Sequence, residues 1–176
     1  MPTIGLGLPP GGVKRAAFVT TFGGVELKTE IMPEEWGGRR VHAPLVFVYG
    51  TLRKGGSNDI NRLVPPPVLC GRSSVHGRLY DLGAYPGLLL ASGPEEDGIA
   101  VWGEVYAIEP ALERQLDLIE GIQGRLDDEY FRRQVLVKVD GQPCGCLIYE
   151  INPEYVRDRP LINHGDWIKH VGVVAT

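Results

Sequence analysis

The dipeptide Asp140-Gly141 constrains this chain most. It stands between two β-prone runs, "YFRRQVLVKV" at 130–139 and "GCLIYEI" at 145–151, and Asp-Gly in that position is the strongest short-range signal for a hairpin. Three further runs read as strands: "LVFVY" at 45–49, "VHGRLYD" at 75–81 and "IAVWGEVYAI" at 99–108. They combine β-branched and aromatic residues with turn-forming flanks. Most of the main body is therefore expected to be sheet.

One segment departs from that pattern. In "PALERQLDLIEG", Pro110 suits the first helical turn and Gly121 the position just past a helix. Leu112, Leu116 and Ile119 recur at helical spacing, so one face of this helix is expected to pack on the sheet. Several strands and one dominant helix indicate an α+β fold built on a small curved or closed mixed sheet.

The first 44 residues read differently. Residues 1–12 are rich in glycine and proline and suit a lead segment. Around Phe22-Gly23-Gly24 two strand-like pieces form an expected hairpin, in which Val25, Leu27, Thr29 and Ile31 alternate with Glu26, Lys28 and Glu30. "MPEEWGGRRVHAP" at 32–44 is a connector by its glycines and prolines. The expected organisation is an extension over 1–44 and a main domain over 45–176.

Composition narrows the function classes. The chain has 176 residues, 43% of them apolar and 23% charged, ordinary values for a soluble globular protein. No apolar run approaches the roughly 20 residues of a membrane helix. The N-terminus lacks the features of a secretory signal, and Cys70, Cys144 and Cys146 make an odd set without disulfide-scaffold spacing, so the cytoplasm is the expected compartment. A net charge of −4 gives no footprint for nucleic acid; a small molecule or a protein is the expected partner. Cys144-Gly-Cys146 lacks a second ligand pair for a metal, and His42, His76, His164 and His170 show no metal or triad spacing.

Two places carry candidate chemistry. Glu120 falls at the border of the buried helix face, in the last turn, with Asp117 one turn back. Partial burial, the negative end of the helix dipole and a neighbouring acid all raise a carboxyl pKa, which suits general acid/base work near neutrality; a solvated helix end is the alternative. The second place is the exit from "LVFVY" into Gly50. A glycine there lets the backbone turn and aim amide N–H groups into a cavity, where they would bind a carboxylate or an oxyanion; a plain strand exit is the alternative.

Together these pieces resemble the gamma-glutamylcyclotransferase-like family, also called the AIG2-like or gamma-glutamylamine cyclotransferase group. The resemblance runs from about Leu45 to Trp167. It rests on "VFVYGTLRKG" at 46–55 with Asn58 after it, on Tyr85-Pro86-Gly87, on "VWGEVYAI" at 101–108 before a helix ending "LDLIEGI", on "YFRRQVLV" at 130–137, and on Gly165-Asp166-Trp167.

The resemblance implies a small mixed β-barrel flanked by helices. It also implies a substrate-binding loop at Tyr49, Gly50, Thr51 and Leu52, and Glu120 as the catalytic acid/base. Tyr130 and Tyr149 match tyrosines that line the pocket, with surface hydroxyls as the alternative. Arg53 is a candidate for attracting an acidic substrate, or a solvated loop cation. The implied chemistry is intramolecular: the α-amine of a γ-glutamyl group attacks its own side-chain carbonyl, closing 5-oxoproline and expelling an amine.

Such a reaction requires no metal or organic cofactor, and its partner is a small γ-glutamyl amine, peptide or conjugate rather than nucleic acid or membrane. A binding module that keeps the pocket without turnover is the rival reading. The leaving amine, the oligomeric state and the role of residues 1–44 stay open.

Overall fold

The computed structural model describes residues 18–22, 25–29, 43–93 and 97–172. The chain divides into two units, Met1–Arg40 and Val41–Thr176. In the first, β1 (Phe18–Phe22) and β2 (Val25–Thr29) pair antiparallel, with Phe22 opposite Val25. The lead at 1–12, the Gly23-Gly24 turn, the side chains of the hairpin and the connector up to residue 42 lie outside the described residues.

The second unit is one six-stranded mixed sheet. Its strands are β3 (Leu45–Val48), β4 (Val68–Asp81), β5 (Pro86–Leu90), β6 (Ile99–Ala107), β7 (Tyr130–Val139) and β8 (Gln142–Ile151), in the order β5-β4-β6-β3-β8-β7. Only β3 and β8 run parallel, at Val46 and Leu147; the other pairs are antiparallel. The β7–β8 hairpin turns through Asp140 at φ 50° and Gly141 at φ 79°, the two left-handed residues that a type I′ turn demands.

The central strand β3 is buried on both faces, which explains its unbroken apolar run. Phe47, with Tyr49 just beyond the strand, packs inside the curl of the sheet with Val101, Val105, Ile148 and Trp167. Val46 and Val48 face the opposite way, onto Leu112 and Leu116 of the helix α1 (Pro110–Ile119). Those two leucines are fully buried, whereas Ile119 is 43% exposed. The apolar stripe expected at three positions thus has two packed ones.

The sheet curls until its two ends meet as a half-barrel. No backbone ladder joins β5 to β7 among the described residues; side chains close the seam instead. Tyr130 donates its hydroxyl to the carbonyl of Pro86 at 2.8 Å, the Leu90 N–H donates to Glu150 Oε1 at 2.9 Å, and the Ser73 hydroxyl donates to the Lys138 carbonyl at 2.7 Å. The Tyr49 hydroxyl accepts from the Leu88 N–H and donates to the Tyr149 carbonyl at 2.8 Å. The bonds at Pro86, Leu88 and Leu90 satisfy edge groups of β5 that would otherwise be open to pairing, and the Ser73 bond ties β4 to β7.

Two parts of the sheet escape the sequence pattern. β5 begins with Pro86-Gly87, which reads as a turn, but proline is tolerated as the first residue of an edge strand. β4 starts at Val68, seven residues before its expected start, because its first half carries a register shift between Leu69 and Gly71 and no clean alternation. The short helix α2 (Trp167–His170) follows Asp166, whose carboxylate accepts from the N–H groups of Ile168 and Lys169.

Candidate active site

One end of α1 builds one wall of a cavity. The helix closes in a Schellman arrangement: the N–H of Gly121 bonds to the Leu118 carbonyl at 3.3 Å and that of Ile122 to the Asp117 carbonyl at 2.8 Å, with Gly121 at φ 66°. Glu120 is the residue at this cap, its own N–H bonded to the Leu116 carbonyl at 2.9 Å. The chain beyond is tied down by Asp128, whose Oδ2 accepts from the N–H groups of Gln123, Gly124 and Arg125 at 2.7, 2.8 and 3.1 Å. Burial raises the Asp128 carboxyl, but the three N–H groups outweigh it and hold it below the ordinary range. Helix cap and carboxylate clamp together fix where Glu120 stands.

The cavity has a volume of about 520 Å³ and is lined by Glu120, by Tyr49, Gly50, Thr51 and Leu52, and by Tyr130 and Tyr149. Seven of the eight residues expected at the site therefore border one space. Glu120 keeps some exposed surface, as a residue facing an open cavity must, yet burial is the main reason its pKa is pushed up to about 7, with the charge of Glu129 second. Asp117, the acid expected to perturb it, is engaged elsewhere: its carboxylate accepts from Arg132 at 2.8 Å and from the Tyr149 hydroxyl at 2.8 Å. The perturbing acid is Glu129, which adjoins Glu120 only through the return of the chain into β7.

Gly50 owes its place to a close approach. A Cβ there would lie 2.8 Å from Pro86 Cγ, so any other residue would crowd the Pro86 ring at the start of β5. After it the loop turns on bonds from the Arg53 N–H to the Gly50 carbonyl at 3.1 Å and from the Asn58 N–H to the Thr51 carbonyl at 3.1 Å. Asn58 also donates through Nδ2 to the Thr51 hydroxyl at 3.2 Å. Among the described residues no partner is recorded for the N–H groups of Gly50, Thr51 and Leu52, which leaves donors at the cavity wall for an anionic group.

The tyrosines line the cavity with their hydroxyls already committed, Tyr49 and Tyr130 to the seam and Tyr149 to Asp117. Burial raises the pKa of all three well above its ordinary value. They are neutral walls that shape the space, and none is a proton acceptor near neutral pH.

Arg53 departs from expectation. It is 5% exposed and does not line the cavity. Its Nη1 donates to Asp166 Oδ1 at 2.7 Å and its Nε lies 3.6 Å from Glu104 Oε1. Glu104 Oε2 in turn accepts from the Lys54 N–H at 3.0 Å and the Tyr106 hydroxyl at 2.9 Å. Burial raises Asp166, but the bond to Arg53 and its charge hold the carboxyl below its ordinary value. Arg53 thus anchors the loop from behind rather than attracting substrate. A cation three residues past a glycine turn reads as a loop charge in the sequence; only Glu104 and Asp166, 51 and 113 positions further on, show that it is buried.

Among the described residues no group of three or more His, Cys, Asp or Glu could hold a metal ion. Cys70, Cys144 and Cys146 are free thiols, and burial pushes that of Cys146 up to about 12. No described helix is long and apolar enough to cross a membrane.

Residues 46–169 match the profile of the family described as "Gamma-glutamyl cyclotransferase, AIG2-like". The chain is 36% identical over 129 residues to a protein of Vibrio cholerae serotype O1 named "Putative gamma-glutamylcyclotransferase", covering 72% of this chain and 97% of that one. It is 35% identical over 82 residues to the "Gamma-L-glutamyl-butirosin B gamma-glutamyl cyclotransferase" of Niallia circulans, covering 46% and 48%. Among solved structures, an AIG2-like protein of Mus musculus superposes with a TM-score of 0.58 at 26% identity over 72% of this chain and 89% of that one.

Proposed function

This chain belongs to the gamma-glutamyl cyclotransferase, AIG2-like family, and from that premise we propose that it releases 5-oxoproline and a free amine from a γ-glutamyl amine, peptide or conjugate, with Glu120 as general acid/base. One observation carries the reading: a carboxyl group with its pKa near 7 shares a cavity with Gly50, Thr51 and Leu52, whose backbone N–H groups have no partner among the described residues.

The proposed steps follow from that pairing. The N–H groups of Gly50 to Leu52 hold the substrate's α-carboxylate or the oxyanion that forms later. Ionised Glu120 takes a proton from the α-ammonium, and the amine nitrogen then attacks the γ-carbonyl carbon, forming the new C–N bond. The carbonyl oxygen becomes an oxyanion. As the carbonyl re-forms, the C–N bond to the leaving amine breaks and protonated Glu120 returns its proton to the departing nitrogen; the second proton of the new ring nitrogen then passes through the freed Glu120 carboxylate to the amine, which leaves as an ammonium ion. No water is consumed.

The pKa values support this division of labour. The α-amino group of a peptide titrates at ~8 and that of a γ-glutamyl compound, beside its own carboxylate, somewhat higher, so an acceptor near 7 takes its proton at a modest uphill cost and gives it back readily. Nucleophile and electrophile belong to one molecule, so holding it folded supplies much of the rate advantage. The neutral tyrosines Tyr49, Tyr130 and Tyr149 leave the proton transfers to Glu120.

Incubation with a panel of γ-glutamyl compounds, measuring 5-oxoproline, tests the reading. At least one compound is expected to turn over, with kcat/KM rising with pH through about 7 as Glu120 ionises. Glu120→Gln is expected to lower kcat by ~10²- to 10⁴-fold, the usual share of a general acid/base. Full activity in that variant would sink the assignment.

A further inference from the structure

The segments at Glu104 and at Gly165-Asp166 place no residue on the cavity wall, yet both end on its loop. Glu104 stands on β6 directly opposite Val48, the last residue of β3, where the chain leaves the sheet to form that loop. It is 3% exposed. Its Oε2 accepts the Lys54 N–H at 3.0 Å and the Tyr106 hydroxyl at 2.9 Å, and its Oε1 lies 3.6 Å from Arg53 Nε. Gly165-Asp166 reaches the same loop: the Trp102 N–H on β6 donates to the Gly165 carbonyl at 2.8 Å, and Asp166 Oδ1 accepts from Arg53 at 2.7 Å.

The network runs on through Tyr106. Its hydroxyl accepts from Asn61 Nδ2 at 3.1 Å, Asn61 Nδ2 also donates to Asp59 Oδ1 at 2.7 Å, and Asp59 Oδ2 accepts the Gly55 N–H at 2.9 Å. Two successive N–H groups, those of Lys54 and Gly55, are therefore each held by a buried carboxylate, and Asn61 and Tyr106 join the two carboxylates. The first half of the loop is bonded through its carbonyls instead. Those of Gly50, Thr51 and Leu52 accept from the N–H groups of Arg53, Asn58 and Ile60 at 3.1, 3.1 and 2.9 Å. What this bonding leaves over, among the described residues, is the set of N–H donors of Gly50 to Leu52 at the cavity wall. A buried polar network of this kind is stable and rigid only while each link holds.

We propose that Glu104 is a positioning residue of this site: it holds the Lys54 N–H and retains Arg53 by charge, and so aims the N–H groups of Gly50, Thr51 and Leu52 at the substrate. This rests on the cyclotransferase reading of the cavity. Only Arg53 separates the held Lys54 from Leu52, so a shift of the clamp passes to the donors with little slack. Glu104 does not line the cavity and takes no part in the proton transfers.

Glu104→Gln tests this, because the amide keeps the size of the side chain but must turn its NH2 either toward Arg53 or toward Lys54, losing the charge pairing or the backbone bond. Activity is compared per folded molecule, well below the melting temperature, on the γ-glutamyl compound that the unaltered chain uses best. Glu104→Gln is expected to lower kcat/KM by about 10- to 100-fold, with the rise through about pH 7 unmoved because Glu120 is untouched. Tyr106→Phe is expected to lose about three- to tenfold, and the double variant no more than Glu104→Gln alone, as residues acting through one another do. Amide hydrogen exchange supplies a readout that a purely structural part would not give. The Lys54 amide is expected to exchange about tenfold faster in Glu104→Gln while the amides of the β7–β8 ladder keep their rates. Unchanged kcat/KM per folded molecule, or faster exchange throughout the sheet alike, overturns the proposal; if Glu104→Gln does not fold, unchanged kcat/KM in Tyr106→Phe does so. If the unaltered chain turns over no γ-glutamyl compound, the cyclotransferase reading is what fails. Titration with 5-oxoproline then decides the part of Glu104: binding about tenfold weaker in Glu104→Gln supports it, and equal or absent binding overturns it.

Discussion

At the scale of single residues, Glu120 and Arg53 look alike in the sequence and are opposites in the fold. Each is a charge placed after an apolar segment and next to or near a glycine. Glu120 stands on a cavity wall without an ion-pair partner among the described residues, and Arg53 is buried between two carboxylates. An unpaired carboxyl group with a raised pKa destabilises the protein, and the sign can be followed through pH. Unfolded, Glu120 ionises at ~4.3; folded, at about 7. Between those values the folded state keeps a proton that the unfolded state has lost, so stability falls as pH rises through the window. Above it the whole penalty is present. Glu120→Gln is therefore expected to be the more stable protein at pH 8, by about 1 to 3 kcal/mol after allowing for its partial exposure. The difference should vanish near pH 4. Urea denaturation at the two pH values measures it, and a variant less stable at pH 8 would refute the argument.

At the scale of elements, the candidate site depends on how a loop and a helix end are held. The loop after β3 is anchored by Arg53 to Glu104 on β6 and to Asp166 at the start of α2. Arg53→Ala leaves two buried carboxylates without their cation and is expected to destabilise the fold by about 3 to 5 kcal/mol. The check is the denaturant midpoint at constant m. A loss below about 1 kcal/mol would mean the pair behaves as an exposed one. The helix was legible because its signals are local: Pro110, Gly121 and leucines at positions 112 and 116. The role of Glu129 was not, because nothing short-range joins the end of α1 to the start of β7. β5 was hidden for a different reason, since its pairing with β4 and its side-chain seam override the turn propensity of Pro86-Gly87.

At the scale of the whole molecule, every residue lining the cavity lies between Phe47 and Tyr155, within the unit Val41–Thr176. A chain beginning at Val41 is accordingly expected to fold cooperatively and to retain the proposed 5-oxoproline release within about twofold of the full chain, because its core and its ladders are complete without β1 and β2. Thermal melts and the same product assay on the shortened chain check this; loss of folding or of activity would assign residues 1–40 a structural or catalytic part.

What the sequence determined by itself is everything that rests on neighbours in the chain: the Asp140-Gly141 hairpin, the helix and its end, the apolar run into Gly50, and the family to which their order belongs. Tertiary structure alone decided which charges meet. It brought Glu129 to Glu120, took Asp117 away to Arg132 and Tyr149, and buried Arg53 between Glu104 and Asp166. Periodicity can say that a side chain leaves a given face of its own element. The electrostatic state of a carboxyl group depends on what other elements place within a few ångströms of it, and the curl of the sheet sets that.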